Sequence, residues 1–258
     1  MDLYEKYLID GFVVIENAVD EKSIDSYNQL WTEKNSQQVD EHGRLVGWGE
    51  SSAYTKYDEI KDVLCSDAIF DAFNKIELAV ALHLDITYNT STLKGWHQDC
   101  ALPNREAANN YAGCWVALED ISPDAGPFEI IVGSHSWDID YYEIYDLKGG
   151  GRTHKKGVNI NDFFENKLIE RNAEIFTFVP KKGDALIWHG YSVHRGSIPN
   201  NTELTRKSLI GHYCNNFANF EQVGDVDFLK AKNALLDPHF AKWGNGHYFK
   251  APMEGYED

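Results

Sequence analysis

The chain has 258 residues, 43% hydrophobic and 25% charged, an ordinary balance for a soluble globular protein with a sizeable core. That balance excludes intrinsic disorder, collagen and a coiled coil as descriptions of the whole. Lys and Arg number 24 against 41 Asp and Glu, and the net charge of −17 would repel a phosphate backbone, so neither nucleic acid nor an anionic membrane is an expected partner.

The opening MDLYEKYLIDGF lacks the basic and long apolar regions of a secretory signal. No apolar run approaches the ~18 residues of a membrane span. Cys65, Cys100, Cys114 and Cys214 are widely spaced with no C-x-x-C pair, which reads as free thiols in a reducing cytoplasm. Nothing in the sequence sets an oligomeric state.

Residues 11–19, GFVVIENAV, begin with the β-branched and aromatic run of a buried strand. Asp20 then caps a helix in which Ile24, Tyr27, Leu30 and Trp31 recur at helical spacing. A second helix follows Asp67, with Ile69, Phe70, Phe73 and Ile76 inward. From about residue 80 the texture changes to short strand-like runs: LHLDITYN, GWHQDC, CWVALEDI, FEIIVGSH, AEIFTFVP, DALIWHG and KSLIGHYCN. Breakers such as SPDAGP at 122–127, KKGD at 181–184 and IPNN at 198–201 separate them. This pattern predicts a mainly β sandwich or jelly roll with flanking helices.

Between strands, residues 138–172 form a longer excursion containing GGGR at 149–152, then His154, Lys155 and Lys156, and a short helix around Asn161–Leu168. Such a stretch reads as a lid or binding loop, or as a surface insertion with no role. The expected layout is one domain over 1–258. Residues 1–82 supply a strand and helices packed on the sheet, 83–216 the jelly-roll core, and 217–258 a C-terminal extension.

The chemistry concentrates in Gly95-Trp96-His97-Gln98-Asp99. On a strand, i and i+2 share a face, so His97 and Asp99 point into one cavity. An imidazole and a carboxylate are two members of the 2-His-1-carboxylate triad of non-haem iron. The third must come from a distant strand; His194 is the candidate, with His189 five residues earlier as its rival. Alternation then puts Arg206, Ser208, Ile210 and His212 on one face. A buried Arg206 needs an anion, whether a ligand carboxylate or an internal Asp or Glu; otherwise it lies exposed at the strand end.

Three blocks carry a resemblance: WHQD at 96–99, CWVALEDISPDAGPFEIIVGSH at 114–135, and GDALIWHGYSVHRGSIPNN at 183–201 followed by Arg206. With them the chain resembles the phytanoyl-CoA dioxygenase family of Fe(II)/2-oxoglutarate-dependent oxygenases, from the first strand to about residue 213. The resemblance implies a double-stranded β-helix (a cupin-like jelly roll), with Fe(II), 2-oxoglutarate and O2 as cofactor and cosubstrates. It implies that His97, Asp99 and His194 bind iron, that Arg206 pairs with the distal carboxylate of 2-oxoglutarate, and that Trp115 lines its pocket. Ser208 adds a hydroxyl on the Arg206 face by alternation, and Thr87 and Asn89 are candidates for the other end of the cosubstrate. His189 fits the family's outer tryptophan-histidine position; His135 and His212 match recurring positions with core or supporting roles.

One departure from the family pattern is an extra residue around Arg195–Ile198. The implied reaction is hydroxylation of an unactivated C–H of a small polar metabolite, releasing succinate and CO2. Asp99 favours this over halogenation, where a small residue replaces the carboxylate. Desaturation or cyclisation by the same oxidant, and a non-catalytic binding protein, are the alternatives.

Overall fold

Residues 1–34, 52–99, 109–148, 151–214 and 240–250 are described by the computed structural model. Cys100, Gly149 and Gly150 lie outside the described residues, and for Arg152 and His154 only the backbone is described.

A helical layer opens the chain. Asp2 and Glu5 form a reciprocal capping box at the start of α1 (Leu3–Asp10), and Gly11, at φ 81°, closes its end. The D-x-x-E signal and the glycine are both present in the sequence, yet the apolar run of the next strand overshadows them. After β1 (Phe12–Ile15) come α2 (Glu21–Lys34), α3 (Asp58–Leu64) and α4 (Asp67–Lys75). The predicted stripe of α2 is buried as expected: Ile24, Tyr27, Leu30 and Trp31. Of the four α-helices described before β2, α1 and α3 were not anticipated.

The helices cover one face of a seven-stranded sheet. Its strands are β2 (Ala81–Tyr88), β3 (Tyr111–Ala117), β8 (Ala185–His189), β10 (Ser208–Cys214), β11 (Phe240–Trp243), β12 (Gly246–Phe249) and β1, in the order β1-β8-β3-β10-β2-β12-β11. The C-terminal hairpin β11–β12 thus extends the sheet beside β2, with Tyr248 opposite Leu82. A second sheet runs β7 (Ile175–Phe178), β4 (Phe128–Ile131), β9 (His194–Gly196). Strand alternation divides the core in two. Val13, Leu82, Cys114, Val116 and Ile187 pack against the helices. Phe12, Trp115, Leu186, Trp188 and Ile210 face Phe128, Ile130 and Phe178 of the small sheet. This is the jelly roll with flanking helices that the sequence predicts.

Two segments differ from expectation. Residues 95–99 form a loop rather than a strand, with an isolated backbone bridge between His97 and His194. The 138–172 excursion is not irregular: it holds the hairpin β5 (Tyr145–Lys148) and β6 (Gly151–His154) and the helix α5 (Ile160–Arg171). Its Ile139, Tyr141, Ile144 and Phe164 share a buried cluster with Trp96, Trp137 and Tyr191, so apolar burial orders it. Among the described residues no helix is long and apolar enough to cross a membrane.

Candidate metal centre

Two backbone hydrogen bonds, His97 N–H to His194 O at 3.1 Å and His194 N–H to His97 O at 2.9 Å, lock distant segments together. They set the two imidazoles side by side, ring centroids 4.3 Å apart. Asp99 Oδ1 lies 3.8 Å from His97 Nε2 and 3.5 Å from His194 Nε2. Each of the three residues offers a ligand atom within 4.8 Å of the others'.

The neighbours fix which atoms are offered. His97 Nδ1 faces the Gly95 carbonyl at 2.8 Å and His194 Nδ1 the Ser192 carbonyl at 3.0 Å. A carbonyl only accepts, so each Nδ1 carries its proton and each Nε2 keeps a lone pair. Trp188 Nε1–H donates to Asp99 Oδ2 at 2.8 Å, turning Oδ1 toward the imidazoles. Phe128 stacks on the His194 ring at 5.2 Å.

Burial pushes His97 well below the usual imidazole range, with His194 and Lys94 adding to it; burial also lowers His194. Burial works to raise the Asp99 carboxyl, but His194, His212, His97 and Lys94 together hold it well below the usual carboxylate range. At neutral pH the set is therefore two neutral imidazoles and one carboxylate, a donor set suited to a divalent first-row metal. The side chains of His97 and Asp99 remain 16% and 12% exposed, and both residues line a cleft.

The walls of that cleft include Lys94, Trp115, Trp188, Arg206, Ile210 and His212 besides the three candidate ligands. Arg206 is 2% exposed. Burial lowers its guanidinium to about 10, still a cation at neutral pH. It reaches only the Gly126 and Thr90 carbonyls, at 3.4 and 3.5 Å, and lies 5.8 Å from the Trp115 ring. Among the described residues no carboxylate pairs with it, which removes the internal-partner and exposed-end readings. Arg206 Nε, Trp115 Nε1 and Ser208 Oγ are buried without hydrogen-bond partners. An uncompensated buried cation beside two idle donors is costly unless an anion binds there.

Strand register sorts the remaining candidates. Ser208 pairs with Tyr88 and Ala117 and shares the cleft-side face with Ile210. Thr87 does not reach the cleft: its hydroxyl bonds Tyr27 in the helical layer, because alternation gives the cleft to Ile86 and Tyr88. Asn89 lies beyond the end of β2, and its side chain is not among the cleft walls; its carbonyl instead accepts the Arg206 N–H at 2.9 Å. His189 points away from the centre, with Nε2 3.1 Å from Asn109 Oδ1 and Nδ1 accepting from Tyr191 N–H. His135 Nε2 reaches the Leu8 carbonyl at 3.2 Å, under α1. His212 is beside the centre, its Nδ1 2.7 Å from Tyr111 Oη and 4.0 Å from Asp99 Oδ2.

In the segment where an extra residue is expected, Arg195 and Gly196 belong to β9 and Ile198 is 80% exposed. Arg206 keeps its facing because its backbone remains tied to Asn89. Sequence reasoning missed Trp188 and Gly113. A Cβ on Gly113 would fall 2.1 Å from Trp188 Cζ2, so only glycine lets the indole lie flat and reach Asp99. Trp188, two residues from an inward Leu186, was legible by alternation.

A jelly roll that gathers two imidazoles and a carboxylate beside an unpaired, buried guanidinium belongs to the class of non-haem Fe(II)- and 2-oxoglutarate-dependent dioxygenases. The sequence model of the family described as Phytanoyl-CoA dioxygenase (PhyH) matches residues 7–208, and the chain belongs to that family. It is 29% identical over 99 residues to the human protein "Phytanoyl-CoA dioxygenase, peroxisomal", a stretch covering 38% of this chain and 27% of that one. The match therefore spans only about a quarter of the human protein's length. Among solved structures, the epimerase SnoN from nogalamycin biosynthesis superposes with a TM-score of 0.60 at 18% identity, covering 82% of this chain and 81% of that one. EctD from S. alaskensis, solved with 2-oxoglutarate and 5-hydroxyectoine, gives 0.57 at 15% identity, covering 82% and 74%. At such identities the likeness shows the fold.

Proposed function

We propose that this enzyme hydroxylates an unactivated C–H bond of a small polar metabolite, with His97, Asp99 and His194 holding Fe(II) and Arg206 anchoring 2-oxoglutarate. The observation that carries the reading is Arg206, a cation buried without a carboxylate, facing the triad across one cleft. Trp115 Nε1 and Ser208 Oγ are the further donors for the cosubstrate. Bound iron and 2-oxoglutarate would supply the chemistry that turns O2 and the keto acid into succinate, CO2 and an oxidised substrate carbon.

The chain's own residues do the rest. Trp188 holds the Asp99 carboxylate in place, Gly95 and Ser192 hold the imidazole tautomers, and the aromatic walls keep water from the reacting centre. Thr92, Lys94 and Arg195 give the mouth of the cleft a polar character. A cytoplasmic location accords with Cys65 and Cys114, both free and buried. Similar structures titled as an epimerase and a carbocyclase keep ring closure or epimerisation as the second reading.

The test is anaerobic addition of Fe(II) and 2-oxoglutarate to the purified protein. A visible charge-transfer band is expected, absent in His97→Ala and weakened in Arg206→Ala. No band in the wild type would favour a non-catalytic binding protein. Substrate-dependent succinate formation, followed by product analysis, separates hydroxylation from the second reading.

A further inference from the structure

The 138–172 excursion grips the loop that carries His97 and Asp99 at two points. The first is the Gly95–Trp96 peptide group. Its N–H donates to Asn161 Oδ1 at 2.9 Å, while its carbonyl accepts from His97 Nδ1 at 2.8 Å. One rigid peptide plane thus connects Asn161 to the ring of a candidate metal ligand. The second is Gln98, between His97 and Asp99 and only 3% exposed. Tyr141 Oη donates to its Oε1 at 2.9 Å, and its Nε2 donates to the Tyr191 carbonyl. Tyr141 and Tyr191 stack at 5.6 Å, completing the seat for Gln98.

Asn161 is itself oriented. Asn159 caps α5, its Oδ1 accepting from Asn161 N–H at 3.0 Å, so Asn161 stands in the first turn. Asn161 Nδ2 donates to Glu165 Oε2 at 3.3 Å and to Asp162 Oδ1 at 3.4 Å, which turns Oδ1 toward Trp96. The fit allows no slack: a Cβ on Gly95 would lie 2.5 Å from Asn161 Oδ1.

We infer that Asn161 and Tyr141 are positioning residues for the metal centre, and that the excursion clamps the loop 95–99 at these points rather than lifting from it as a lid. Asn161 acts through the peptide plane on the tautomer and angle of the His97 ring; Tyr141 acts through Gln98 on the spacing of His97 and Asp99. The inference rests on those residues binding a metal, and Co(II) titration separates the two claims. Co(II) is added to the full chain in air-stable buffer without 2-oxoglutarate, and affinity and the visible d–d spectrum are recorded with the melting temperature of each metal-free variant.

Asn161→Ala is expected to weaken Co(II) binding about 10-fold or more and to alter the d–d band, the range typical when a group orienting a metal ligand is removed. Asn161→Asp combined with Asp162→Asn and Glu165→Gln keeps an acceptor for Trp96 and gives amide donors to its outer oxygen, so it should recover affinity to within about 3-fold of wild type. Tyr141→Phe, which removes one hydroxyl, should weaken binding by a smaller factor, roughly 3-fold. Wild-type affinity and an unchanged band in Asn161→Ala and Tyr141→Phe would overturn the clamp and leave the metal reading standing. No Co(II) binding by the wild type would overturn both. Should Asn161→Ala fail to fold, Tyr141→Phe decides: unchanged affinity there overturns the inference.

Discussion

Replacing Arg206 by methionine should remove 2-oxoglutarate binding and yet stabilise the ligand-free protein. The guanidinium is 2% exposed, has no carboxylate partner among the described residues, and bonds two carbonyls at 3.4 and 3.5 Å. Taking away one member of a buried, hydrogen-bonded charge pair costs about 2–5 kcal/mol. At ~1.4 kcal/mol per decade, the dissociation constant for 2-oxoglutarate should rise roughly 30-fold to several thousand-fold. In thermal unfolding with Mn(II) present, wild type at a ligand concentration of about 100 times its dissociation constant gains ~2.7 kcal/mol. At roughly 2–4 °C per kcal/mol for a chain near this size, the shift is about 5–10 °C. A variant weakened 100-fold gains only ~0.4 kcal/mol from the same addition, roughly 1 °C. Without ligand the sign reverses. Methionine fills much of the same volume and brings no buried charge, so the ligand-free variant should melt at or above the wild-type temperature. An undiminished ligand-induced shift, or a ligand-free melting temperature well below wild type, would refute the claim that Arg206 waits for an anion.

Trp188→Phe keeps the ring packing but loses the 2.8 Å bond to Asp99, and metal affinity should fall about 10-fold by Co(II) titration; Gly113→Ala should do at least as much by displacing the indole. Thr87→Val should leave the 2-oxoglutarate constant unchanged by calorimetry while lowering stability about 1 kcal/mol through the lost bond to Tyr27. His83 is held down at about 3, first by burial and then by His212. The unfolded chain takes up a proton near pH 6.5 that the folded ring refuses, so this contribution is complete above pH 6.5 and is lost as pH falls toward 3, at up to about 1.4 kcal/mol per pH unit. Urea unfolding at pH 7.5 and 5.0 should show the loss, and His83→Gln should reduce it; an identical loss in the variant counts against the buried neutral ring.

What the sequence made legible follows the period of its strands. Along β10 the two-residue repeat put Arg206, Ser208, Ile210 and His212 on one face, because a strand buried on both sides cannot slip by one without exchanging its cores. The same rule, applied to β2, argues against Thr87, whose neighbours Ile86 and Tyr88 own the cleft. The polar character of Thr87 drew attention there, and only its pairing with Leu209, an inner-core residue, shows which way it faces. His189 and His194 were inseparable by spacing alone. They end up in different sheets, β8 and β9, since the chain reverses through Gly190–Val193 between them. The excursion was least legible. Its order comes from Trp96 and Tyr191, far away in sequence, and no periodicity within 138–172 announces a partner outside it.

The charge of the whole and the charge of the cleft have opposite signs, and their ranges decide which one a dianion meets. At −17 the surface repels 2-oxoglutarate at a distance. In physiological salt that field decays over about 8 Å, so it slows approach without reaching the buried end of the cleft. Inside, three cations, Lys94, Arg195 and Arg206, stand against the ionised Asp99. Arg195 is engaged by Glu129 at 2.7 Å, and Lys94 is exposed at the mouth. Of these three, Arg206 alone is both desolvated and without a carboxylate partner among the described residues, so the attraction it offers is the least screened of the three. On the proposed reading, the acidic surface serves solubility while one buried side chain, held to Asn89 by its own backbone, would supply selectivity for a carboxylate.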